Sequence, residues 1–149
     1  MAEGPSDFVN MVETGIGFVR RMGLKVVEMK RCHVELKAPL DINKGHIGTM
    51  YAGALFTLAE MPGGALFLTT FDVSKFYPIV KEMTIKFKRP VHTDATVKVG
   101  MTEEEVVRIE RDAEEKGRSE FSLKGEIFDE KGELVAESVG IYQIRKHGI

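Results

Sequence analysis

The sequence of 149 residues predicts an α+β fold in which one long apolar helix is wrapped by an antiparallel sheet. Three observations carry that reading. From Ile47 to Phe71 the run IGTMYAGALFTLAEMPGGALFLTTF holds a single formal charge, Glu60. After it, several segments alternate apolar and polar residues with a period of two, the mark of half-buried strands. Most of those segments follow one another closely, which favours antiparallel pairing.

Taken in order, Ser6 or Asp7 caps a first helix in which Phe8, Met11, Val12, Phe18, Val19 and Met22 recur near helical spacing. Gly15 and Gly17 weaken it, and Gly23 ends it. Leu24 to Glu28 and Cys32 to Ala38 read as strands, the second closed by Pro39. The loop LDINKGHIG leads to the apolar helix, with Thr49 as its expected N-cap and an end near Phe67, bent at Pro62. Strands follow at Ile79 to Arg89, where Met83, Ile85 and Phe87 share a face, and at Ala95 to Met101. Thr102 and Glu105 have capping-box spacing and open a charged helix to about Lys116. Phe121, Leu123 and Ile127 mark the next strand, Asp129 to Gly132 a hairpin turn, and Leu134 to Arg145 the last strand.

Residues 1–149 are expected to form one domain, with residues 1–23 as an N-terminal helical segment. The apolar run is long enough to span a bilayer, but Glu60, Pro62, Gly63 and Gly64 interrupt it, and a buried helix in a soluble protein is the expectation. A net charge of −2 gives no reason to expect nucleic acid as the main partner. The lone Cys32 and the acidic rather than basic N-terminus MAEGPSDF point to the cytoplasm. No P-loop, dinucleotide fingerprint or G-x-S-x-G elbow occurs. The four histidines lack metal-ligand spacing, so neither metal nor cofactor is expected.

Three features point to chemistry. At the start of the apolar helix the N–H groups of Tyr51, Ala52 and Gly53 lack intrahelical acceptors and suit a developing oxyanion, although small residues there also suit close packing. Gly53, Thr57, Glu60 and Gly64 line one stripe of that helix. On it, Glu60 is either a base or nucleophile tuned by burial, or a paired structural carboxylate. Ala52 and Glu60 are eight residues apart, about 12 Å along a helix, too far to act on one carbonyl. Their cooperation would require one chain's helix start beside a second chain's Glu60. Lastly, Lys86, Lys88 and Arg89 either hold carrier phosphates or form a solvated strand face.

The segment GTMYAGALFTLAE, followed by IVKEMTIKFKRPV, resembles the hotdog-fold acyl-CoA thioesterases, and most closely the phenylacetic-acid-type branch with its uncharacterised relatives. The resemblance implies acyl-CoA substrates and a homodimer or dimer of dimers; from the charge and the interrupted apolar run, neither nucleic acid nor a membrane is expected as a partner. The family's H-G-G falls on Tyr51, Ala52 and Gly53, and its acidic residue on Glu60. Ala52 N–H would then polarise the thioester carbonyl. The family's loop asparagine falls on Gly45, with Asn43 two residues away, and Tyr51 stands where the family has histidine. Asn43, His46 and Tyr51 are expected to line the loop and orient the thioester. Asp41 and His46, in DINKGH, also resemble the loop pair of hotdog enoyl-CoA hydratases, without that motif's proline. An acyl-CoA or acyl-carrier binding module without turnover is the further alternative.

Overall fold

The structure is a computed structural model that describes residues 5–148; the first four residues of the acidic N-terminus MAEGPSDF lie outside the described residues. In chain order the elements are α1 (Pro5–Thr14), α2 (Gly17–Arg21), β1 (Lys25–Lys30), β2 (His33–Ala38), a 3₁₀ turn (Asp41–Asn43), α3 (Ala52–Thr70), β3 (Phe76–Phe87), β4 (Ala95–Gly100), α4 (Glu103–Lys116), β5 (Arg118–Asp129) and β6 (Leu134–Lys146). The strands form one six-stranded sheet in the order β1-β2-β4-β5-β6-β3, and every neighbouring pair is antiparallel.

α3 is the centre of the molecule. Its length and apolar composition would let it cross a membrane, but Leu58, Ala65 and Leu66 are almost wholly enclosed by the sheet. Val34, Leu36 and Ala38 of β2 meet it from one strand, and Val97 and Val99 of β4 continue the same inner face. This is the wrapped-helix arrangement that the sequence pattern anticipates, and the one that the resemblance to hotdog-fold proteins implies. Pro62 lies within an unbroken helix that runs to Thr70, past the expected end near Phe67.

Several local expectations shift. The first helix is two helices, because the chain leaves helical conformation at Gly15 and Ile16; Ser6 and Asp7 lie inside α1. Gly23 ends α2 with a φ of +75°, which a glycine accepts without strain. α3 begins at Ala52 with Tyr51 as its cap position, so Thr49 is not the cap. Met50 instead forms a β-bridge with Lys44, which holds the preceding loop extended up to the helix. The capping box of α4 forms as its spacing implies, with Thr102 Oγ1 accepting from Glu105 N–H at 3.1 Å.

Candidate functional site

Glu60 sits midway along α3, half-buried, and lines a hollow of about 330 Å³ between α1, α3 and the start of β3. The walls are apolar: Met11, Val12 and Ile16 on one side, Met61, Phe67 and Pro78 on the other. Among the described residues its carboxylate has neither a hydrogen-bond donor nor an ion-pair partner, so it is not a paired structural carboxylate within this chain. Burial alone raises its pKa above the ordinary glutamate value. An ionised carboxylate there is a strengthened base, since its conjugate acid is favoured by the apolar wall.

Tyr142 of β6 reaches the same turn of α3. Its hydroxyl donates to the main-chain carbonyl of Glu60 at 3.3 Å. Burial, and secondarily the Glu60 charge, push the phenol well above its ordinary range, so it stays a donor. Sequence reading did not single this residue out, because its position in β6 carries no motif; the signal was two glycines, Gly63 and Gly140, whose missing side chains leave room for its ring.

The helix start is built differently from expectation. Tyr51 N–H donates to the Asn43 carbonyl at 2.8 Å and is spent. Ala54 and Leu55 N–H both reach the Tyr51 carbonyl, at 3.0 and 3.2 Å, which leaves Ala52 and Gly53 as the open donors of the first turn. The Tyr51 ring lies over Gly53, where any side chain would meet it. Thr57 turns its hydroxyl back to the Gly53 carbonyl at 2.9 Å.

Asn43 is buried, and its amide holds the loop together: Nδ2 donates to the Met22 carbonyl at 2.8 Å and to the Pro39 carbonyl at 2.7 Å. His46 is exposed in the loop that follows. Asp41 is in solvent, 3.9 Å from Lys44 with its side chain 93% exposed, which gives an Asp41–His46 pair no enclosed space in which to activate water.

Ala52 and Glu60 line different hollows. The one at the helix start, about 350 Å³, is formed by Ala52, Leu55, Phe87, Lys88, Arg89 and neighbours. Lys88 and Arg89 therefore do come to the helix start, but each faces a carboxylate: Lys88 lies 3.1 Å from Glu137, and Arg89 3.9 Å from Glu133. Lys86 is exposed on β3 and does not line that hollow. Glu28, His33 and Glu35 bring ligand atoms together across β1 and β2. However, Glu28 is paired with Lys30 at 2.8 Å and His33 with Glu35 at 3.1 Å, and all three stand away from Glu60's hollow.

Residues 6–146 match the family described as "Putative thioesterase (yiiD_Cterm)". Among solved structures, a Pseudomonas aeruginosa protein of unknown function, described as a "Probable Thioesterase", is 48% identical with a TM-score of 0.94, over 99% of each chain. A Chlorobaculum tepidum protein of unknown function is 22% identical with a TM-score of 0.84, over 95% of this chain and 94% of that one. A Haemophilus influenzae thioesterase is 14% identical with a TM-score of 0.74, over 100% of this chain and 97% of the other. The last two show the fold alone. No curated protein matches the chain.

Proposed function

The chain belongs to the yiiD C-terminal thioesterase family, and we propose that it hydrolyses acyl-CoA thioesters at a site shared between two copies. The observation that carries this is Glu60, an unpartnered carboxylate on an apolar wall. In the proposed reaction Glu60 takes a proton from water as the oxygen attacks the thioester carbonyl. The C–S bond then breaks, and the proton passes to the departing thiolate. Ala52 and Gly53 N–H groups hold the carbonyl oxygen while it carries charge.

Those donors lie about 10–12 Å from Glu60 along their own helix, so in this reading they come from a second copy. Support for that assembly lies in α3 itself. Tyr51, Phe56 and Gly64 are exposed and Gly53, Thr57, Glu60 and Leu68 half-covered, so the stripe bearing Glu60 is the face left open by the sheet. Two such faces packed antiparallel would create two equivalent sites. The acyl group occupies the hollow under α1, and Tyr51 and His46 flank the approach. The cytoplasm, where acyl-CoA is found, is the proposed location.

The test is free-thiol release from short, long and aromatic acyl-CoAs by wild type and Glu60→Gln. Turnover by wild type that falls at least a hundredfold in the variant is expected. No turnover by wild type, with acyl-CoA still raising Tm, would replace hydrolysis with the binding-module reading.

A further inference from the structure

At one end of the sheet four cations crowd together, and the acids beside them, Asp112, Glu114 and Glu120, are engaged with other cations or with Lys146. A hollow of about 310 Å³ is lined by Tyr77, Lys116, Gly117, Arg118, Arg145 and Lys146. Lys146 pairs with Glu114 at 3.0 Å. Among the described residues Lys116, Arg118 and Arg145 make no ion pair.

Their placement follows from register. Arg118 of β5 stands directly opposite Arg145 of β6, and Arg145 opposite Tyr77 of β3. Like charges directly opposite on neighbouring strands are unfavourable unless something of opposite sign joins them. The nearest acid on β5 is already engaged: Glu120 accepts from Lys81 at 3.1 Å and from Gln143 Nε2 at 3.2 Å. Gln143 in turn accepts Arg145 Nε at 3.1 Å. That chain fixes the Arg145 guanidinium and leaves its two terminal nitrogens without a partner among the described residues. A planar cation held this way suits a phosphate oxygen pair. Tyr77, whose ring packs 5.3 Å from that of His147, adds an aromatic face beside the charges.

The location connects this hollow to the catalytic one. Tyr77 lines the cationic hollow and Pro78 lines the hollow of Glu60. Consecutive strand residues point to opposite faces, with Cα atoms about 3.8 Å apart. Both belong to β3, the outermost strand on that side of the sheet. The two hollows thus lie on either side of one strand at the edge of the sheet.

We infer that Lys116, Arg118 and Arg145 form a phosphate-binding site that takes the nucleotide end of the thioester's carrier, with the carrier arm passing round the edge at β3 to bring the acyl group to Glu60. The identity of the ligand as the carrier rests on the proposed hydrolysis; the anion site does not. Lys88 and Arg89, each facing its own carboxylate, are the poorer candidates for the same task.

The experiment is calorimetric titration of the full chain with adenosine 3′,5′-bisphosphate and, separately, with inorganic pyrophosphate. It compares wild type, Arg118→Gln/Arg145→Gln and the control Lys124→Gln, with acyl-CoA kinetics in parallel. The bisphosphate is expected to bind wild type and the control alike and the double variant at least tenfold more weakly. KM for acyl-CoA is expected to rise by a similar factor while kcat holds. Equal bisphosphate affinity in all three proteins, or unchanged KM in a double variant that still turns over, would overturn the site while leaving the thioesterase reading intact. Bisphosphate binding through the two arginines, with no hydrolysis by wild type, would keep the anion site and remove the thioesterase. Pyrophosphate binding as tightly as the nucleotide would overturn the assignment to the carrier.

Discussion

The ring of Tyr142 occupies the space that a side chain at Gly63 would need, and its hydroxyl reaches the carbonyl of Glu60 three residues earlier. Gly140, two residues before Tyr142 on β6, bounds the other edge of the same ring, and Phe121 stacks at 6.0 Å. The ring has nowhere to swing. Gly63→Ala is therefore expected to destabilise by about 1–3 kcal/mol despite alanine's better helix propensity. Gly53→Ala meets a ring too, that of Tyr51, but Tyr51 is 61% exposed and free to turn away. That substitution is expected to leave stability unchanged or raise it by up to about 1 kcal/mol. Urea denaturation of the two variants checks the contrast, and equal effects would refute it.

Replacing Glu60 separates chemistry from stability. Burial raises its pKa, so the folded chain holds the proton more tightly than the unfolded chain. The stabilisation this gives is full below the unfolded pKa and is lost as pH rises through the folded one. Glu60→Gln is accordingly expected to have a higher Tm than wild type at pH 8, with the difference vanishing at pH 4. Wild-type kcat/KM should rise with pH through the raised pKa and level off above it. A Tm difference that grows towards acid pH would contradict the assignment.

A shared site predicts rescue by mixing. Ala52→Pro removes one of the open donors at a position where proline is tolerated in a helix, and should be inactive as a homodimer, as should Glu60→Gln. Random exchange makes half the dimers mixed, each with one intact site of two, so about a quarter of wild-type activity should return. Activity that stays at zero after confirmed exchange would place both groups in one chain's site or in none.

Asn43 tests how far loop architecture and substrate binding differ. Its amide satisfies the Met22 and Pro39 carbonyls. Asn43→Ala is expected to cost about 1–3 kcal/mol by leaving buried carbonyls unpaired. The measured loss in Cm should appear in the absence of any ligand. A variant of unchanged stability and raised KM would instead return Asn43 to the substrate.

Much of this was legible in the chain because it depends on local order. Val34, Leu36 and Ala38 alternate because a strand has period two, and Thr102 caps α4 because a hydroxyl three residues before Glu105 meets its N–H. The Tyr51 N–H is engaged rather than open because its acceptor, the Asn43 carbonyl, comes from the loop folding back on the helix start, a contact that no local pattern encodes.

The sequence by itself determined the buried helix and its wrapping sheet, since an apolar run of that length must be enclosed and alternating segments must pair to enclose it. It also marked Glu60, because a lone charge in such a run is conspicuous. Only the tertiary structure decided that Glu60 lacks a partner within the chain, that Tyr142 stands behind it, and that Arg118 faces Arg145 across two strands. Those facts depend on register between segments far apart in the chain, and register is set by the packing of the whole sheet around α3 rather than by any local pattern.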